Sequence, residues 1–190
     1  MEYPAGGFPP QRSLVQRMIG AAMLDASVYE EVEHDQGATG QAVVVVTIVA
    51  LCAGIGSWAA GGHSIAATVS ALVSGFLTWI VMSGMTYVVG TKLFGGTADM
   101  GEMMRTLGFS RTPGVLAALA FVPVLGPLLV AVAWIWQLVT AVVAIRQALD
   151  FDTGKAIATA LIAWIASLLI AGLLAMFLVG SAFAVGAVVR

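Results

Sequence analysis

Residues 41–60 read QAVVVVTIVALCAGIGSWAA, an uninterrupted stretch without a charged side chain. A helix needs about 20 predominantly apolar residues to cross the ~30 Å hydrocarbon layer of a bilayer, so this stretch predicts a transmembrane helix. Residues 65–91 form a second stretch of this kind, and residues 156–189 form a third that exceeds a single crossing. The sequence therefore predicts an all-α, polytopic membrane protein.

Residues 113–145 are also apolar, but Pro123-Val124-Leu125-Gly126-Pro127 interrupts them. At ~1.5 Å per residue this segment reaches about 50 Å, whereas two full crossings need about 60 Å. It is predicted to form two short spans or a re-entrant hairpin, with at least one helix short, broken or kinked near the prolines. Counting this segment as the third and fourth spans gives five transmembrane helices.

The composition agrees with a membrane protein of one domain. Of the 190 residues, 60% are hydrophobic and 9% are charged, and the mean hydropathy is +1.00. Soluble domains carry about 25% charged residues, so this chain lies far outside the soluble class. The net charge of −2 is too small to indicate a nucleic-acid partner.

The basic residues predict how the chain is oriented. Threading the apolar stretches alternately through a bilayer places seven of the eight on one side, and these are Arg12, Arg17, Lys92, Arg105, Arg111, Arg146 and Lys155. The side richer in Lys and Arg is cytoplasmic, so we expect a multi-pass protein of the inner membrane, with its N-terminus inside and its C-terminus outside. Any function is then expected on the inner face.

Three regions are predicted along the chain. Residues 1–12 hold three prolines and are expected to form a disordered tail. Residues 13–36 are expected to form two cytoplasmic interfacial helices, with capping boxes at Ser13/Gln16 and Ser27/Glu30. Residues 37–190 form the membrane domain, whose first helix is expected to begin with Thr39 as its N-cap.

The long connection between the second and third spans predicts a further amphipathic helix. Met100, Met103, Met104 and Leu107 recur at helical spacing. Asp99 and Glu102 fit a capping box, and Gly108 is suited to end the helix. We expect this methionine stripe to lie in the bilayer interface, with an adaptable docking surface as the alternative.

Known catalytic and cofactor motifs are missing from the sequence. It has no HExxH, P-loop, GxSxG or GxGxxG motif, no Cys/His cluster for zinc, and no Asp, Glu, Lys, Arg or His inside an apolar stretch. We therefore predict no enzyme activity, no catalytic or metal site and no cofactor. His63, at the outer turn, is a weak candidate ligand for a haem or pigment.

Several segments resemble bacterial members of the Yip family. They are Arg17-Met18-Ile19, DASVYEEVE (25–33), ATGQA (38–42), GGTAD (95–99), LGFSRTPG (107–114) and RQALDFDTGKA (146–156). Gly108-Phe109 followed by Pro113 is similar to the Gly-Tyr…Pro motif of eukaryotic members, whose Asp-Leu-Tyr-Gly-Pro motif is absent here. The resemblance implies five spans and a cytoplasmic N-terminal segment. Eukaryotic relatives bind Rab GTPases. Because their Asp-Leu-Tyr-Gly-Pro motif is missing, the resemblance does not imply this activity for the present chain.

The resulting hypothesis is a non-enzymatic scaffold or accessory subunit of a membrane protein complex that acts through its cytoplasmic face. Its expected partners are the lipid bilayer and other membrane proteins or further copies of itself. Two alternatives stay open: a small transporter or channel, and a cofactor-associated subunit of an electron-transfer or photosynthetic complex. The candidate contact residues are Asp25, Glu30, Glu31, Glu33, Asp35, Asp99, Glu102, Arg105, Gly108, Phe109, Pro113, Asp150 and Asp152.

Overall fold

A computed structural model describes residues 12–62 and 65–188, and within these ranges every regular element is helical. The α-helices are α1 (Leu14–Ala22), α2 (Ala26–His34), α3 (Ala38–Ser57), α4 (Ile65–Leu93), α5 (Met100–Phe109), α6 (Leu125–Ala148) and α7 (Thr153–Val188). A π-helical turn, Trp58–Gly62, extends α3, and a 3-10 helix, Thr112–Leu119, follows α5. The predicted all-α class is confirmed. The predicted N-terminal tail, apart from Arg12, and His63 lie outside the described residues.

Among the residues that the structure describes, four helical segments are long and apolar enough to cross a membrane. They are Ala38–Gly61, Thr68–Leu93, Leu125–Ala148 and Thr153–Ile170. The expected third span is not among them, because its residues form the 3-10 helix instead of a long α-helix. Pro113 lies in the first turn of that helix, where a proline is tolerated because the N–H that it lacks would have no intrahelical partner.

The 3-10 helix runs along α3, away from α5. A Cβ at Gly108 would lie 2.7 Å from Cβ of Ala42, and one at Gly114 would lie 2.6 Å from Cγ1 of Val49. Near the other end of α3, a Cβ at Gly56 would overlap the carbonyl oxygen of Ala117. The chain therefore descends beside α3 from the level of Ala42 to that of Gly56, about 21 Å at the α-helical rise.

A tight turn then sends the chain back as α6. Val124 has a φ of 65°, an uncommon left-handed conformation for a β-branched residue. The amide of Gly126 donates to the carbonyl oxygen of Val122 at 2.7 Å. The hydroxyl of Thr140 on α6 donates to the carbonyl oxygen of Ser110 at 2.7 Å, so the two limbs pack side by side. The prediction of a short or broken segment near Pro123–Pro127 is confirmed.

At one end of the bundle α1, α2, α5 and the 149–152 connection pack around the long helices; we call this assembly the cap. A single buried hydrophobic cluster joins it to α3, α4, α6 and α7, and its fully buried members include Tyr29, Val45, Met103, Phe109 and Ile145. Nε1 of Trp79 donates to the carbonyl oxygen of Met104 at 3.0 Å and ties α5 to α4. The cap is therefore part of the protein core.

The methionine stripe belongs to that core, so both interpretations of it from the sequence are wrong. Met103 is 0% exposed and Leu107 is 3% exposed, and Met104 packs against the same cluster. The spacing correctly indicated one apolar face of α5. That face meets other helices of this chain, because α2, α3, α4 and α6 surround α5 on nearly every side.

Helix ends were predicted with mixed success. The capping boxes Ser13/Gln16 and Asp99/Glu102 are both present and confirmed. Asp25, and not Ser27, caps α2 by accepting from the amide of Ser27, while α3 begins one residue before Thr39 without a side-chain cap. Gly108 does not end α5, since the helix continues through Phe109.

Candidate functional site

Arg17 on α1 organises the charged residues of the cap. Its side chain is 1% exposed, and its Nη2 lies 2.8 Å from Oε1 of Glu31 and 2.7 Å from Oδ2 of Asp35. Nη1 donates to Oε1 of Gln41 at 2.9 Å. The bond from Arg17 lowers the pKa of Asp35, and Arg12 adds a second pair to Glu31 at 3.0 Å. Because a buried arginine needs paired acceptors, Arg17 joins α1 to α2 through these carboxylates and to the start of α3 through Gln41.

Arg105 has a comparable structural task. It is buried on α5, and its guanidinium donates to the carbonyl oxygens of Val32 at 3.0 Å and of Glu33. These carbonyls belong to the last turn of α2, whose partial negative charge favours a cation. Arg105 thus fixes the end of α2 against α5.

Three carboxylates of the cap interact electrostatically with that of Glu33, and we call the four residues the acidic patch: Glu30, Glu33, Glu102 and Asp150. Glu33 is 8% exposed. Burial raises the pKa of Glu33 to about 7; the nearby His34 opposes this shift, while Glu102, Glu30 and Asp150 add to it. Mutual repulsion of like charges destabilises a fold, so the patch is not explained by stability alone.

Glu30, Glu33 and His34 also place ligand atoms within 4.8 Å of one another, the spacing of a metal site. Nδ1 of His34, however, is 2.9 Å from the carbonyl oxygen of Glu30 and donates to it, which leaves only Nε2 for a ligand. Two of the three residues are exposed, and we assign no metal to them.

The candidate contact residues separate into accessible and buried groups. Glu30, Asp99, Asp150 and Asp152 are exposed, and Asp25, Glu31, Asp35 and Glu102 are half-buried. The buried members are Glu33, Arg105, Gly108, Phe109 and Pro113. The expectation that the acidic run from Glu30 to Asp35 is a uniformly solvent-facing surface is therefore wrong, since Glu31 and Asp35 pair with Arg17 and Glu33 packs inward.

One apolar surface of the cap stays uncovered. Val15, Ile19 and Met23 are 62%, 55% and 73% exposed, and their spacing places them on one face of α1. Trp136 on α6 donates from Nε1 to the carbonyl oxygen of Ala22 at 2.8 Å and fixes the end of α1 against the membrane helices. This face of α1 continues the apolar surface of the bundle.

Arg111 is a functional candidate that the sequence did not reveal. Its position between α5 and the 3-10 helix suggested one more inner-surface charge, yet its side chain lines two cavities inside the bundle. A weak signal was available, because apolar or uncharged residues flank it and the nearest carboxylate in sequence, Glu102, is nine positions away.

Comparison with known proteins gives one match. The Yip1 domain family model matches residues 25–188, which include α2 to α7 and all four long apolar helices. The curated proteins and the solved structures gave no match. Since the matched range covers most of the chain, this membrane protein belongs to the Yip1 domain family.

Proposed function

We propose that this protein is a non-enzymatic scaffold or accessory subunit of a membrane protein complex, and that the acidic patch on its cap binds a basic segment of a partner. The observation that carries the proposal is that Glu30 and Glu33 place carboxylate oxygens within 4.8 Å of each other, while Glu102 and Asp150 from other parts of the chain act electrostatically on Glu33. A complementary positive segment would relieve their repulsion and contribute to the rate and specificity of association.

In the proposed orientation the cap faces the cytoplasm. Arg12, Arg17, Lys92, Arg105, Arg146 and Lys155 all lie at the cap end of the long helices, which supports the positive-inside assignment in an inner membrane. The 3-10 limb would serve as the third of five crossings, and the C-terminus would lie outside. The exposed apolar face of α1 would lie in the inner interface of the bilayer.

The rigidity of the cap favours a binding role. Arg17 and Arg105 join α1, α2 and α5 through buried hydrogen bonds, so the patch is presented on a preformed surface. A preorganised surface loses less conformational freedom when a partner binds, which improves affinity.

The test is co-purification from native membranes with neutral, nearly isosteric substitutions. Glu30→Gln with Asp150→Asn removes two patch charges. Gln can still accept the hydrogen bond from Gln147, and Asn tolerates the φ of 55° at position 150. The matched control is Asp99→Asn with Asp152→Asn, which removes two exposed charges outside the patch while keeping residues that cap helices well.

We expect the patch variant to lose its partner and the control to keep it, and the patch variant to be at least as stable in detergent as wild type, because two repelling charges are removed. The wild-type complex should also dissociate as salt is raised, because the interaction is between accessible charges. Retention of every partner by the patch variant would contradict the proposal.

A further inference from the structure

Arg111 reaches the interior of the membrane bundle. One cavity of about 160 Å³ that it lines lies between α4, α6 and α7, and its wall includes Trp79, Trp134, Gln137 and Trp164. A second cavity of about 230 Å³ lies between α3 and α4 and includes Val49, Ala50 and Thr78. Arg111 thus lines both cavities, as does Thr78.

This position is well below the ends of the helices. Thr78, which lines both cavities, is thirteen residues from the beginning of α4 at Ile65, about 20 Å at the helical rise. Trp164, which lines the first cavity, is eleven residues from the beginning of α7 at Thr153, about 16 Å. A cation at such depth is costly and persists in membrane proteins where it faces a cavity or meets a counter-charge. Arginine cannot avoid the cost by deprotonation, because its charge is effectively permanent.

Nothing in the described part of the chain neutralises the positive charge of Arg111. Each ion pair there belongs to Arg12 or Arg17, and no hydrogen bond from the Arg111 guanidinium is formed within residues 12–62 and 65–188. The site therefore lacks an anion.

The first cavity has the size and surroundings for an amphiphilic anion. Its volume is more than ten times the ~10–15 Å³ that one water needs. Trp134 and Leu138 on α6 and Trp164 on α7 are 53%, 46% and 38% exposed, so the cavity opens sideways where acyl chains would lie. The rings of Trp134 and Trp164 meet edge to face at 6.0 Å beside this opening. A charged centre behind an apolar, aromatic mouth matches a lipid better than a small soluble ion.

We propose that Arg111 binds the phosphate group of an anionic phospholipid that enters between α6 and α7. The guanidinium fork suits two phosphate oxygens, and the acyl chains would lie against the exposed faces of these helices. The site is separate from the acidic patch, so it stands or falls independently of the proposed cytoplasmic partner.

The test measures lipid binding to the full chain, delipidated in detergent, by native mass spectrometry. The probes are phosphatidylglycerol, phosphatidylcholine and inorganic phosphate. Wild type is expected to hold one phosphatidylglycerol in preference to phosphatidylcholine, and phosphate alone should not compete. Arg111→Gln should bind phosphatidylglycerol at least about tenfold more weakly, or ~1.4 kcal/mol. Arg111→Lys, which keeps the charge but not the fork, should be intermediate.

The matched control is Lys155→Gln, which removes an exposed cation lying 5.6 Å from the centre of the Phe151 ring. It should bind lipid like wild type. Arg111→Gln should fold, because the change removes a half-buried charge that has no partner in the described chain; its melting temperature checks this. Equal lipid binding by Arg111→Gln and wild type would overturn the proposal. So would competition by inorganic phosphate at equal affinity, or a co-purifying protein held through Arg111 with no bound lipid.

Discussion

Replacement of Glu33 by glutamine should stabilise the protein at alkaline pH. Burial, together with Glu30, Glu102 and Asp150, raises the pKa of Glu33 from 4.5 to about 7. The folded state therefore favours the neutral acid, and the stability that this provides is complete below about pH 4.5 and is lost as the pH rises through about 7. Glutamine imitates the neutral form at every pH.

The difference in pKa sets the size of the effect. At ~1.4 kcal/mol per tenfold change, ionisation of Glu33 costs roughly 3 kcal/mol at pH 8, the most that Glu33→Gln can recover. For a protein of this length, that corresponds to a rise of about 6–12 °C in melting temperature. At pH 5 the difference should fall below about 1 kcal/mol.

Thermal unfolding in detergent at pH 5 and pH 8 tests this reasoning, with Asp152→Asn as an exposed control that should show no comparable gain. A Glu33→Gln variant no more stable than wild type at pH 8 would refute it, and so would a gain of equal size at both pH values. Either result would mean that Glu33 is adequately solvated or paired when ionised.

Four further substitutions, one of them a control, test the packing of the cap and the hairpin. Arg17→Met leaves Glu31 and Asp35 without their buried cation and should destabilise the protein by about 3 kcal/mol in chemical denaturation. This is the low end of the usual cost, because both carboxylates are partly exposed. An unchanged denaturation midpoint would show that the ion pairs contribute nothing to stability. Gly108→Val places a side chain against Ala42 and should destabilise the protein by about 1–3 kcal/mol. The control Gly40→Ala, with open space around it, should be neutral or stabilising. Equal melting temperatures for the two variants would contradict the close approach of α3 and α5. Gly56→Ala should loosen the 3-10 limb, seen as faster proteolysis near Val124, and protection equal to wild type would argue against that contact.

The elements set by local chemistry could be predicted from sequence. The long apolar stretches fix α3, α4 and α7, and the boxes at Ser13 and Asp99 mark the beginnings of α1 and α5. The proline-broken stretch was too short for two full crossings, and its first limb is a 3-10 helix. These features depend on residues within a few positions of one another, so they can be predicted from the local sequence.

The packing of the cap and the position of Arg111 depend on contacts between segments that are distant in the sequence. Local patterns could not reveal them. Helical spacing separates Arg17 from the apolar face of α1, but only the docking of α2 buries it. The same pattern that indicated an apolar face on Met100–Leu107 could not say whether that face meets lipid or protein. Arg111 looked like a surface charge because its depth follows from the path of the chain after it, along α3.

The most direct test of the account is the accessibility of single cysteines in a Cys52→Ala background, probed with a membrane-impermeant maleimide. The informative positions are Gln36 and Asp150, both exposed on the cap, and Val124, which is 91% exposed at the hairpin turn. We expect Val124→Cys to react with the maleimide in intact cells, and Gln36→Cys and Asp150→Cys to react only after permeabilisation. Labelling of the cap positions from outside would contradict the cytoplasmic orientation, and protection of Val124→Cys would contradict a third crossing by the 3-10 limb.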